Sequence, residues 1–251
     1  MIAAVALAIL TGIGSAVVPP AADHPFGVGE KLVFDVRFGP LKVGTSTMEV
    51  REITHIRGRA AYKTYLSIQG GTFFYKVDDL LQSWIDTETL SSLRFVQHLQ
   101  QGSRERERHF EIYPDRSVYV EVTKNATEHP SVSRPLDDAS FLYFIRTIPL
   151  EVGRTYEFNR YFRPDRNPVI VRVVRRERIV VPAGTFNAIV VRPTIKTKGI
   201  FAEGGEAELW LSDDDRRMVL QLKTKVAFGS LNLYLRSFTP GKAGRAGRAG
   251  S

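Results

Sequence analysis

The stretch RFVQHLQQGSRERERHFE, from Arg94 to Glu111, decides the fold. Gly102-Ser103 reads as a two-residue turn, of a type favoured in hairpins when Gly comes first. Gln101 then faces Arg104, and because side chains alternate with a period of two, the whole register follows. Phe95 is set opposite Phe110, Gln97 opposite Arg108 and Leu99 opposite Arg106 on one face. On the other face Arg94 meets Glu111, Val96 meets His109 and His98 meets Glu107. Complementary pairs fall into place without adjustment, which is how cross-strand neighbours stabilise a sheet.

The same alternation extends in both directions from this hairpin. From Phe26 to Phe238 it recurs in stretches bounded by Gly, Pro and Asp, which predicts strand after strand joined by short turns. Lys31 to Arg37 opens the series, Gly39-Pro40 turns it, Val43 to Ile53 runs back, and Arg57-Gly58-Arg59 turns again into Ala60 to Gln69. Gly70-Gly71 is expected to be the next turn, ahead of a strand from Phe73 to Asp86. After Pro135 the period changes. Asp137 or Asp138 can cap a helix over about Asp138 to Thr147, roughly three turns long, with Phe141, Phe144, Ile145 and Ile148 on one side before Pro149 ends it. Strands resume at Thr155 to Phe162 and Val169 to Val181, and the latter turns at Pro182-Ala183-Gly184-Thr185 into Phe186 to Lys198. Glu206 to Leu211 leads into the acidic turn Ser212-Asp213-Asp214-Asp215, and Met218 to Ala227 and Leu231 to Phe238 complete the series. No internal repeat or linker interrupts residues 23–240, which are expected to form one β-rich domain. The expected fold class is all-β and mainly antiparallel: a single strongly curved sheet, an incomplete barrel or a two-layer meander, with one short helix.

The two ends read differently. Residues 1–18 carry no charged side chain and are followed by Pro19 and Pro20. This is the outline of a signal peptide over residues 1–22, cleaved after Ala16 or after Ala22, and it predicts a periplasmic or otherwise exported protein. The alternative is an uncleaved membrane anchor, since the run approaches the roughly 20 residues that a bilayer span needs. Residues 241–251, GKAGRAGRAGS, supply three of the formal +8 charges and hold no large apolar side chain, so a disordered basic tail is expected.

With 251 residues, 43% hydrophobic, the chain can bury a sizeable core. It contains no Cys, which removes disulfides, thiolate catalysis and Cys-based zinc sites. His24, His55, His98, His109 and His129 are scattered; the nearest approach to a metal set is His98, His109 and Glu107 on one face of the derived hairpin, where Arg94, Glu105 and Glu111 also fall and make a charge-laced strand face the simpler reading. Asp213-Asp214-Asp215 lacks the Gly and distal Glu of a calcium loop, and Arg216 and Arg217 follow it, so it reads as a polar turn. Ser140 has Asp138 close in sequence, but a triad would need His109 or His129 from afar. Tyr143 and Arg146, three apart on the helix, read as ties between the helix and a strand end. Arg104, Arg106 and Arg108, and Arg172, Arg175, Arg176 and Arg178, recur along strands with no aromatic platform between them, which disfavours nucleic acid and suits anionic lipid head groups or solvent. Phe73, Phe74 and Tyr75 in succession must place at least one aromatic ring away from the core.

Several segments together resemble a family of exported bacterial proteins known as domain of unknown function 3108. The resemblance lies in Pro25-Phe26-Gly27-Val28-Gly29-Glu30-Lys31-Leu32 with Gly44, in Asp138-x-Ser140-x-x-Tyr143-x-x-Arg146, in Pro149-Leu150-x-x-Gly153, in Val181-Pro182-Ala183-Gly184-Thr185-Phe186, and in Leu209-Trp210-Leu211-Ser212-Asp213-Asp214. It implies an envelope location and a curved antiparallel sheet. It supplies no activity, cofactor or catalytic residue. By looser analogy, curved sheets with one inner helix are similar to the lipoprotein-localisation carriers of the bacterial envelope, although fold alone does not carry function.

The expected function is a non-catalytic binding or carrier module for a lipid or other hydrophobe, with membrane-surface contact; the alternative is a structural or assembly factor that contacts other envelope proteins. No catalytic, cofactor or metal residue is assigned, and the ligand-binding residues are unknown at this stage.

Overall fold

The computed structural model describes residues 24–72, 75–196, 207–226 and 229–242. The elements in chain order are β1 (Lys31–Phe38), β2 (Leu41–Ile56), β3 (Arg59–Thr72), β4 (Tyr75–Asp86), β5 (Ser92–Gln101), β6 (Arg104–Tyr113), β7 (Val118–Glu121), β8 (Glu128–Pro130), α1 (Ser140–Phe144), β9 (Thr155–Phe158), β10 (Val169–Val181), β11 (Gly184–Thr194), β12 (Glu208–Ser212), β13 (Val219–Val226) and β14 (Gly229–Thr239). The strands form one 14-stranded sheet in the order β8-β7-β6-β5-β4-β3-β2-β1-β14-β13-β12-β11-β10-β9. Every neighbouring pair of strands is antiparallel, as short turns between alternating strands require. Two meanders thus run away from a seam where the first and last strands pair, from Lys31 opposite Thr239 to Phe38 opposite Leu231. The sheet does not close, and its free edges, β8 and β9, are only three and four residues long.

The hairpin derived from sequence is present pair for pair, from Arg94 opposite Glu111 to Gln101 opposite Arg104. Phe95 and Phe110 are buried with ring centroids 6.1 Å apart. On the other face His98 Nδ1 lies 3.8 Å from Glu107 Oε2.

Two expectations are corrected. Gly70-Gly71 is not a turn: β3 passes through both, Gly70 pairs with Gly44 on one side and Val77 on the other, and Thr72 pairs with Tyr75. A Cβ at Gly44 would lie 2.2 Å from the Gln69 carbonyl oxygen, and one at Gly70 would lie 2.2 Å from that of Val43. The glycines are there because two backbones pass too close for side chains. The helix is also shorter than its apolar spacing suggests, because after Phe144 the chain tightens to three-residue bonds, Arg146 N–H to the Tyr143 carbonyl and Thr147 N–H to that of Phe144. Its burial reaches further than one stripe, since Ser140 to Arg146 are all buried. The short strands β7 and β8 carry too few residues to show a period and were not foreseen from the sequence.

One buried apolar cluster draws on both meanders and on α1. The segment from 131 to 139 bridges the open side. Ser131 N–H donates to the Ser117 carbonyl and its hydroxyl to that of Phe162, while Leu136 and Tyr161 form a parallel bridge. Phe162 then packs on Phe110 and Tyr119 of the other meander at 5.1 Å each. The Val181 to Phe186 turn reaches past β12 and β13 to β14, where Ala183 N–H donates to the Leu235 carbonyl and Phe186 meets Phe238 at 6.5 Å.

Residues 1–23, with the expected signal peptide, lie outside the described residues, as do Phe73, Phe74 and residues 243–251 of the basic tail. Lys242 is described, and its N–H donates to the Val28 carbonyl.

Candidate binding cleft

Arg146 follows α1 and is 2% exposed. Its guanidinium donates to both carboxylate oxygens of Glu30 at 2.6 and 2.8 Å, and to the carbonyls of Pro25 and Arg216 at 3.0 and 2.9 Å. It also lies over the Phe26 ring at 5.2 Å. Phe26 in turn stacks on His24 at 5.4 Å and meets Tyr143 edge-on at 4.9 Å. One arginine therefore ties together the segment before β1, the turn between β12 and β13, and the end of α1. The reading of Arg146 as a tie holds. Tyr143 differs, since its hydroxyl is buried with no hydrogen-bond partner among the described residues, and burial pushes its pKa well above the ordinary range.

These three segments bound an open cleft of about 850 Å³. Phe26, Ile148 and Met218 give it apolar walls, and Arg146, Arg216 and Arg217 outnumber the carboxylates Glu30 and Asp215. Arg216 is held by Asp214 at 3.0 Å. Burial alone would raise the Asp214 pKa, but hydrogen bonds from Ser212 and Arg216 outweigh it and hold the carboxyl below its ordinary value. Arg217 Nη1 comes no closer than 4.0 Å to Asp213 Oδ1. Arg217 Nη1 and Arg146 Nε are buried N–H donors with no acceptor among the described residues.

A second polar cluster lies where α1 begins. Asp137 Oδ1 accepts from the N–H groups of Ala139 and Ser140 at 2.9 and 2.8 Å, and Oδ2 accepts from the Ser83 hydroxyl at 2.6 Å. Asp137 is therefore the capping residue, whereas Asp138 accepts from the Tyr161 hydroxyl at 2.9 Å. Complete burial lifts the Asp137 pKa to about 6, against the hydrogen bonds that favour its charge, and burial raises Asp138 as well. Ser140 Oγ lies 2.8 Å from Ser92 Oγ and accepts from Asp137 N–H at 2.8 Å. Neither candidate triad histidine is among its partners: His109 Nε2 bonds Glu111 at 2.9 Å and His129 stacks on Tyr119 at 5.2 Å. His98, His109 and Glu107 do not converge, and no group of three or more such side chains is placed to hold a metal among the described residues.

The basic strand residues divide. Arg108 forks onto Glu121 at 2.9 and 3.1 Å, Arg175 bonds Glu177 and Glu208, and Arg176 bonds Asp213. Arg104, Arg106, Arg172 and Arg178 are exposed. The cleft itself was not legible in the sequence. Glu30 and Arg146 stand 116 residues apart; helical spacing to Tyr143 marked Arg146 as a tie, whereas only its place in a family-like segment hinted that Glu30 mattered.

The fold and the cleft define a class of proteins, open barrel-like antiparallel sheets wrapped on a short buried helix. The chain belongs to the family described as "Protein of unknown function (DUF3108)", whose sequence model matches residues 33–236. A solved structure, the beta-barrel-like protein of domain of unknown function DUF1849 from Brucella abortus, is similar in fold, with a TM-score of 0.58 at 8% identity, covering 86% of this chain and 99% of that one. The hypothetical protein CT021 from Chlamydia trachomatis aligns over 86% of this chain and 89% of its own, at 10% identity and a TM-score of 0.38. No curated protein matches the chain. Among the described residues no helix is long and apolar enough to cross a membrane.

Proposed function

We propose that this protein is a non-catalytic binding module of the bacterial cell envelope, and that it takes a hydrophobe with an acidic head group in the cleft between Phe26, Ile148 and Met218. The observation that carries the reading is the cleft's composition. Apolar walls stand beside three arginines, two of which keep a buried N–H donor without an acceptor among the described residues. Buried donors are rarely left unpaired, and guanidinium groups match carboxylate or phosphate geometry. The cleft's size falls within the roughly 300–1,000 Å³ usual for small-molecule sites. The concave side of the sheet is occupied by α1 and the aromatic residues around Phe162. The alternative of an assembly factor that adds a partner strand is disfavoured by edges as short as β8 and β9, with Pro130 closing β8.

The test is native mass spectrometry with lipid extraction of protein purified from the envelope, beside a variant with Met218→Trp that fills the cleft. A co-purifying acidic amphiphile in the wild type that is lost in the variant is the expected result. No recovered ligand, together with no binding of an added fatty acid or lysophospholipid, sinks the carrier reading in favour of the assembly factor. Export is part of the proposal: amino-terminal sequencing should find the mature chain beginning near Val17 or Asp23, and recovery of Met1 would overturn it.

A further inference from the structure

The turn from Ser212 to Met218 forms one wall of the cleft and is clamped from several sides. Ser212 N–H donates to the Met218 carbonyl at 2.8 Å, Met218 N–H donates to Ser212 Oγ at 2.8 Å, and Arg146 donates to the Arg216 carbonyl at 2.9 Å. Within the turn Asp214 Oδ1 accepts from the backbone N–H groups of Arg216 and Arg217 at 3.1 and 3.2 Å. These bonds hold Arg217 at φ 47°, in the left-handed region. Gly, Asn and Asp enter that region with ease, whereas a side chain such as arginine's is strained there. Strain of this kind persists only where the surroundings over-determine it, and it gathers at functional sites.

Arg57 gives the contrast. It has the same backbone conformation, φ 49°, but its guanidinium bonds the Glu111 carboxylate and the carbonyls of Leu93 and Ile112. The Arg217 guanidinium has no such partners: Asp213 Oδ1 lies 4.0 Å from Nη1, and Nη1 is a buried donor with no acceptor among the described residues. Asp213 is engaged elsewhere, accepting from Arg176 at 3.0 Å. The other two cleft arginines are each bonded to a carboxylate, Arg146 to Glu30 at 2.6 Å and Arg216 to Asp214 at 3.0 Å. Asp215, exposed and also in the cleft lining, offsets much of the general positive field. An anion therefore gains here by direct hydrogen bonding to Arg217 and not by net charge.

We infer, on the footing of the cleft proposed above, that Arg217 is the residue that recognises the acidic head group, and that this group carries a single negative charge, as a fatty-acid carboxylate does. One guanidinium with an open fork matches one carboxylate. A second negative charge would meet Asp215 with no further unpaired cleft arginine to answer it. The bound carboxylate supplies the acceptor that Nη1 lacks, and the strained backbone of Arg217 serves to hold the donor at the cleft wall.

The experiment is isothermal titration of lipid-stripped protein purified from the envelope, with dodecanoic acid and with its methyl ester. The wild type should bind the acid more tightly than the ester by roughly tenfold or more, as a hydrogen bond to a charged group implies. Arg217→Asn places a residue at ease in the left-handed region. It should abolish the preference while the unfolding midpoint holds or rises, a pairing of effects that a merely structural role for Arg217 would not give. Arg216→Gln removes a guanidinium already bonded to Asp214 and should weaken acid binding less. An acid preference that survives Arg217→Asn, or a larger loss in Arg216→Gln, overturns the inference. So does tighter binding of dodecyl phosphate, a dianion at about pH 8, than of the acid. Equal binding of acid and ester by the wild type leaves the cleft proposal standing and defeats this inference, whereas binding of neither defeats both.

Discussion

Arg146 is the side chain with most at stake. It is buried with Glu30, and its other bonds go to backbone carbonyls of segments that are distant in sequence. Removing one partner of a buried ion pair leaves the other desolvated and uncompensated, so Arg146→Met should cost about 3–5 kcal/mol in urea unfolding. Replacing Glu30 by Met as well should recover part of that loss, because no buried charge then remains. A single-variant loss below about 1 kcal/mol would show that the tie contributes little. Asp137 gives a pH dependence of definite sign. Its folded pKa of about 6 lies above the ordinary 3.8, so the folded state keeps the proton to higher pH than the unfolded chain does. The stability it contributes is complete below the unfolded value and is lost as pH rises through 6. Asp137→Asn imitates the protonated form, so relative to the wild type it should gain about 2 kcal/mol in stability between pH 4 and pH 7. The lowered carboxylates Asp86 and Glu111 act in the opposite direction, but they are present in both proteins and cancel in the comparison. Parallel stability curves for the two proteins would count against a raised Asp137.

Among the elements, α1 shows how much its neighbours supply. Five residues of helix are far too few to persist alone in water, and α1 exists because its side chains are packed on every side. Phe144 meets Phe158 edge-on at 5.0 Å and holds the Arg160 guanidinium 4.5 Å from its ring. Phe144→Ala should therefore destabilise the fold by roughly 3–5 kcal/mol in chemical unfolding. A loss below about 1 kcal/mol would mean that the site collapses around the truncation or that this face is not core. The contrast between two glycine pairs marks the limit of local reading. Gly102-Ser103 sits between alternating residues whose charges match across it, so a local pattern fixes both the turn and the register. Gly70-Gly71 has the same local look, yet what places it is the backbone of β2, a neighbour that no short window contains.

Across the whole molecule, the seam between β1 and β14 makes the two meanders share one sheet and one core. The two tryptophans fall one on each side, Trp84 on β4 and Trp210 on β12. In single-tryptophan variants, Trp84→Phe and Trp210→Phe, thermal unfolding followed by fluorescence should give coincident transitions, because neither meander buries its apolar face without the other. Two well-separated midpoints would show that the halves unfold independently.

The sequence by itself determined the strands, most of the turns, the all-β class and the register of the hairpin from Arg94 to Glu111, because alternation and turn chemistry act between near neighbours. It also marked Arg146 as a tie from the helix to a strand end without saying which strand. Tertiary structure alone decided the pairing of the first strand with the last, the role of Gly44 and Gly70, and the choice of Asp137 over Asp138 as the cap. It also decided the meeting of Arg146 with Glu30 across 116 residues. Each of these depends on burial and close approach between segments remote in the chain, and the local periodicity of a sequence carries no term for contacts of that kind.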